Sequence, residues 1–144
     1  MVLDTMAVSA LMNPDRWSAE AVAYRDLIGP RAILVSFVTV TELRYGALKA
    51  GWGELRRRGL EHDLGQFTVV QPDDELMQVC AALRARCERV GHGLGQKIHE
   101  ADRWVASTAL RLQIPLVSDD SIFSEVDGLV VETRRSGSGG ATTI

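Results

Sequence analysis

Ile33-Leu34-Val35-Ser36-Phe37-Val38-Thr39-Val40-Thr41-Glu42-Leu43-Arg44-Tyr45-Gly46 is an apolar run that passes directly into a helical pattern, with an acid in the first turn after the run. Residues 33–37 read as a strand because the run is short and apolar; the periodicity over 40–50 is that of a helix. The same handover recurs in both directions. Toward the N-terminus, Val2-Leu3 with its flanks precedes helical patterns over 7–12 and 18–28. Toward the C-terminus, strand-like runs at 67–70, 115–118 and 129–131 alternate with helical patterns over 54–64, 74–90 and 100–112. Alternation of this kind predicts right-handed βαβ crossovers, and so an α/β fold of three α/β/α layers around a mostly parallel sheet. Capping chemistry agrees, since Asp73 or Asp74 can cap the helix after Pro72 and Gly51 is placed to end the one before it.

The 144 residues suit one domain, read as 1–133, with a core large enough to need neither disulfides nor a structural metal. Residues 134–144 are expected to be a disordered tail, because 136–143 hold only Ser, Gly, Ala and Thr. A composition of 46% hydrophobic and 24% charged residues excludes a disordered, collagenous or disulfide-stapled chain. The net charge of −3 does not mark a nucleic-acid binder, so any such surface must be local. Lys49 and Lys97 are the only lysines, and Arg44, Arg56, Arg57 and Arg58 form the best basic cluster. Cys80 and Cys87, seven apart on one face of a helical stretch, read as small buried hydrophobes. Gly91-His92-Gly93-Leu94-Gly95 reads as a flexible loop; Gly95-Gln96-Lys97-Ile98 lacks the ending of a Walker phosphate loop. The start of the chain has no signal-peptide pattern and no segment approaches the roughly 20 apolar residues of a membrane span, so a cytoplasmic protein is expected.

The acids fall where strands hand over to helices, the edge of a parallel sheet at which ligands bind. Asp4 follows Val2-Leu3, Glu42 lies in the first turn after the second strand, and Asp119-Asp120 follow Leu116-Val117-Ser118. Asp102 stands near the start of the 100–112 helix, at the rim of a stripe read as Ala101, Val105, Thr108 and Leu112. Taken singly, an acid in a first helical turn is explained by capping and the helix dipole. Asp4 is different, since it interrupts an apolar strand, where an acid needs a partner or a role. Several convergent carboxylates repel one another unless a cation compensates them, and oxygen-only ligands favour Mg²⁺ or Mn²⁺. His62, His92 and His99 are too scattered to form a ligand set and are assigned no role.

Four stretches carry a resemblance to the VapC-like PIN-domain toxins of bacterial toxin–antitoxin pairs. Met1-Val2-Leu3-Asp4-Thr5 resembles the family's opening strand and first acid, and Val38-Thr39-Val40-Thr41-Glu42-Leu43-Arg44-Tyr45-Gly46 its second-acid helix. Ala101-Asp102-Arg103-Trp104-Val105-Ala106-Ser107-Thr108-Ala109 is similar to the third-acid helix, and Ile114-Pro115-Leu116-Val117-Ser118-Asp119-Asp120-Ser121-Ile122-Phe123 to the last strand and fourth acid. The resemblance covers roughly residues 1–131. It implies a Rossmann-like PIN fold, an Mg²⁺- or Mn²⁺-dependent endoribonuclease acting on RNA, a homodimer, and neutralisation by a cognate VapB-type antitoxin. It also implies catalytic and metal-binding roles for Asp4, Glu42, Asp102 and Asp120, with Asp119 as a rival to Asp120 and Thr5 as a hydroxyl near the metal. Met6 and Asp119 depart from the family's usual residues. Met6 also counts against an aspartyl-phosphate phosphatase, which needs a second acid two positions after the first. The remaining alternative is a PIN fold kept only to bind RNA or protein.

Overall fold

The structure is a computed structural model that describes residues 1–134. Its elements run β1 (Val2–Leu3), α1 (Thr5–Leu11), α2 (Ala19–Ile28), β2 (Leu34–Ser36), α3 (Phe37–Lys49), α4 (Glu54–Leu64) and β3 (Thr68–Val70), then α5 (Asp74–Val90), α6 (Glu100–Leu112), β4 (Leu116–Val117) and β5 (Val131–Glu132). The strands form one sheet in the order β3-β2-β1-β4-β5, with every pairing parallel. The central strand β1 sets the register, with Val2 opposite both Leu34 and Leu116. This is the three-layer α/β/α architecture expected from the alternation, with the Rossmann-like sheet that the family resemblance implies.

Successive side chains of a strand point to opposite faces, so each strand feeds two cores. Leu3, Val35 and Val117 pack with Val8, Tyr24, Val40 and Leu60 from α1 to α4. Val2 and Leu116 pack with Leu83, Cys87, Val105 and Ala109 from α5 and α6. Both faces of the sheet are therefore covered, which is why its central strands β1 and β4 are wholly apolar and buried.

Three local readings change. Phe37 opens α3 instead of ending β2, because Ser36 caps that helix by accepting the Val38 N–H at 3.3 Å. Its ring is then free to meet Trp104 of α6 edge-on, with centroids 5.3 Å apart. The glycine-rich stretch is an ordered pair of 3₁₀ turns, Gly93–Gly95 and Lys97–His99, entered through Gly91 in the left-handed region at φ 72°. It is pressed so closely on α5 that a Cβ at Gly95 would lie 2.8 Å from the Glu88 backbone nitrogen. The buried face of α6 is Arg103, Val105, Ala106, Ser107, Thr108 and Ala109, so a charged residue lies within the stripe and Ala101 and Leu112 flank it. Among the described residues no helix is long and apolar enough to cross a membrane. Residues 135–144, and with them most of the expected tail, lie outside the described residues.

Candidate active site

Parallel strands all end at one edge; Asp4, Asp102, Asp119 and Asp120 are carried there by the connection that follows a strand or by a helix start, whereas Glu42, expected in the first turn after β2, stands in the second turn of α3 because Ser36 starts that helix early. Asp4 is the N-cap of α1, its Oδ1 accepting the Ala7 N–H at 2.8 Å. Its Oδ2 accepts a hydrogen bond from the Ser118 hydroxyl at the end of β4. The side chain is only 6% exposed. Burial pushes its pKa above the ordinary carboxylate value, and the nearby charges of Asp119 and Asp120 push the same way against the Ser118 and Ala7 hydrogen bonds. An unscreened carboxylate at the edge of the core is costly, so this residue is held charged only against resistance.

Glu42 reaches the same edge from α3, where its Oε1 accepts from Thr5 Oγ1 at 2.9 Å. Thr5 Oγ1 also lies 3.1 Å from the buried Thr39 hydroxyl, so a threonine pair orients the acid. Burial raises the Glu42 pKa, and the charges of Asp102 and Asp4 add to the rise. Asp102, in the first turn of α6, has its Oδ2 at 3.0 Å from His99 Nδ1. An ionised carboxylate can only accept, so His99 Nδ1 carries the proton. The acids are thus linked in a chain of electrostatic neighbours along the edge, Asp102 acting on Glu42, Asp4 on Glu42, and Asp119 and Asp120 on Asp4.

Asp119 and Asp120 part company. Asp120 caps a short 3₁₀ turn, Ser121–Phe123, through Oδ1 to the Ile122 N–H at 3.0 Å, while its own N–H donates to Ser118 Oγ at 3.0 Å. Asp119 accepts from the Arg134 N–H at 2.9 Å and pairs with Arg134 Nε at 2.5 Å. The Arg134 guanidinium stands 4.3 Å over the Tyr24 ring and 3.7 Å from Glu20. Burial, with Asp119 next, pushes the Tyr24 hydroxyl up to about 12.

A family model of the PIN domain matches residues 1–129. The chain belongs to the PIN domain family. Among curated proteins, this PIN chain is 26% identical over 101 residues to ribonuclease VapC5 of Mycobacterium tuberculosis, spanning 69% of this chain and 72% of that one. Among solved structures it is similar to VapBC-5 of Mycobacterium tuberculosis, at TM-score 0.63 and 25% identity over 92% of this chain and 94% of that one. It also matches VapBC2 of Rickettsia felis bound to a promoter DNA fragment, at TM-score 0.74 and 21% identity over 92% and 96% of the two chains. FitAcB of Neisseria gonorrhoeae superimposes with TM-score 0.70 at 23% identity, covering 93% and 97%.

Several residues of this PIN site escaped the reading of the sequence. Ser118 had a signal, since it stands between the strand and the acids, and His99 had one in its spacing of three from Asp102. Thr39 and Arg134 had none, because their partners come from other elements. Tyr45 is 62% exposed, Trp52 lies under the Arg56 guanidinium at 3.8 Å, and Trp104 is taken up by Phe37. Among the described residues no three acidic, histidine or cysteine side chains close on one point as a ready ligand set. The acids instead ring the edge, each tied to a hydroxyl, a ring nitrogen or a backbone N–H.

Proposed function

We propose that this chain is an Mg²⁺- or Mn²⁺-dependent endoribonuclease, the toxin of a VapBC-type pair. The observation that carries the reading is the buried Asp4 carboxylate, whose charge is opposed by burial and by its acidic neighbours at the C-terminal edge of a PIN fold. Such a cluster fits a hard divalent cation, which supplies the missing positive charge through oxygen ligands. Asp4, Glu42, Asp102 and Asp120 are the residues that would hold it, after side-chain rotation from their present hydrogen bonds. A bound ion lowers the pKa of a water and offsets charge developing on a scissile phosphate. The chain's own part is to orient the acids. Ser118 and the Ala7 N–H fix Asp4, Thr5 fixes Glu42, and His99 fixes Asp102. Asp119 is turned toward Arg134 and sits at the margin.

The relatives crystallised as VapBC and Fit complexes support a protein partner for this chain, a cognate VapB-type antitoxin. An arginine entering the acid edge would pair with the carboxylates the ion needs, so inhibition and metal compete. A homodimer belongs to the same reading. The lack of a closed ligand set among the described residues is what a PIN module that only binds RNA or protein would also show, and cleavage decides between them. Purified, partner-free protein is incubated with several RNAs in Mg²⁺, Mn²⁺ or chelator. Cleavage is expected with either ion and none with chelator, and Asp4→Asn and Asp102→Asn are expected to abolish it with the fold intact by circular dichroism. Undiminished cleavage in both variants, or in chelator, sinks the metal-site reading; no cleavage under any condition favours the binding module.

A further inference from the structure

Arg103 follows Asp102 on α6, faces inward and is only 3% exposed. Burying a side chain that cannot discharge is expensive unless its donors are taken up. Its Nη1 donates to the Leu94 carbonyl at 2.7 Å and reaches that of Gln96 at 3.4 Å, while Nε has no partner. Both acceptors are backbone atoms of the segment that leads into α6, Leu94 in the first 3₁₀ turn and Gln96 between the two. A leucine there would fill the core as well, so the charge needs a reason in what it holds.

The turns touch both flanks of the acid cluster. At one end His99 Nδ1 meets Asp102. At the other, a Cβ on Gly93 would stand 2.7 Å from Ile122 Cδ1, and His92 Nε2 lies 2.8 Å from the Ser124 carbonyl. His92 Nδ1 accepts the Leu94 N–H at 3.1 Å, so its Nε2 carries the proton and donates to Ser124. Ile122 and Ser124 belong to the turn that Asp120 caps. One segment, residues 92–99, therefore abuts the third acid and the turn of the fourth, and Arg103 holds its middle.

We propose that Arg103 is a positioning residue for the acid cluster: by gripping the Leu94 and Gln96 carbonyls it fixes residues 92–99, and through His99 it fixes the rotamer of Asp102. This rests on the reading of the acids as a divalent-ion site. A role in core packing alone would lower stability and leave ion binding by the folded protein unchanged. Loss of an outer partner of a metal ligand weakens ion binding by about 10- to 100-fold.

The experiment is Mn²⁺ binding to the full, partner-free chain, followed by the electron paramagnetic resonance signal of free Mn²⁺, with thermal unfolding run alongside. Arg103→Met, which keeps the stem and removes the donors, is expected to weaken Mn²⁺ binding by at least about tenfold. Arg103→Lys, which keeps one donor for Leu94, is expected to lose less. His99→Ala should lose as much as Arg103→Met, and adding Arg103→Lys to it should cost nothing further, because both act through one tie. Wild-type affinity in folded Arg103→Met overturns the inference. If that variant does not fold, the Arg103→Lys and His99→Ala pair decides, and an Arg103→Lys loss that persists in full on the His99→Ala background overturns it. A wild-type chain that binds no Mn²⁺ removes the ion-site reading and this inference together, whereas wild-type binding with unaffected variants removes only the inference.

Discussion

Asp119 and Asp120 are neighbours of the same chemistry on a nearly extended backbone, and their side chains leave it on opposite sides. Arg134 takes Asp119 through both a backbone and a guanidinium N–H, whereas Asp120 keeps one oxygen on the Ile122 N–H and stays at the exposed rim. Asp120→Asn should therefore reduce RNA cleavage by on the order of a hundredfold, the upper range for lost support at a metal site. Asp119→Asn should cost less activity and lower the thermal unfolding midpoint, because it weakens the tie to Arg134. Steady-state cleavage by the two purified variants checks this; a greater activity loss in Asp119→Asn would assign the fourth acid to Asp119. The sequence placed both acids at the right strand end but could not order them, since Arg134 approaches from the far end of β5 and leaves no trace in local spacing.

At the scale of elements, handover from strand to helix was legible and the exact junctions were not. Val38, Val40 and Thr41 have the β-branched side chains of a strand, and residues 33–37 look continuous with them. Yet Ser36 stops β2 and caps α3, and packing of Phe37 and Val40 outweighs propensity. The glycine-rich stretch misleads for the opposite reason: Gly93 and Gly95 are there for close approach, which composition cannot distinguish from freedom to move. Gly95→Ala forces a Cβ against the backbone of α5, and a helix backbone cannot give as a side chain would. It should destabilise the chain by about 1–3 kcal/mol, the usual cost of overpacking. Gly59, on the exposed face of α4 with nothing within 4 Å of where a Cβ would stand, is the control. Gly59→Ala should stabilise by about 0.5–1 kcal/mol through helix propensity alone. Urea unfolding of both variants measures the contrast, and equal effects would mean that the turns yield more readily than their contacts imply.

At the scale of the whole molecule, the sheet gathers acids from β1, α3, α6 and the end of β4 at one edge, so the fold concentrates negative charge that the unfolded chain disperses. Asp4 and Glu42 both have folded pKa values raised above their ordinary ones, chiefly by burial and then by neighbouring carboxylates, or at Glu42 by Asp102 and Asp4. A raised carboxylate pKa means that the native state binds protons the unfolded state has already released. The contribution of these two acids to stability without metal should then be greatest below the ordinary carboxylate range and be lost as pH rises through the raised values, opposite in sign to that of Glu61, whose pKa is lowered chiefly by its hydrogen bond from Arg44. Asp4→Asn keeps an oxygen for the Ala7 N–H and removes the charge, so its metal-free melting temperature at neutral pH should exceed that of the wild type and vary less with pH. Saturating Mg²⁺ should raise the wild-type melting temperature at neutral pH and do little below the carboxylate range, where protons compete for the same oxygens. Thermal melts of both proteins across that range, with Mg²⁺ and with chelator, measure all three effects. If Asp4→Asn instead melts below the wild type in chelator at neutral pH, the hydrogen bonds from Ser118 and Ala7 outweigh burial at Asp4, and the charge there stores no cost for an ion to relieve.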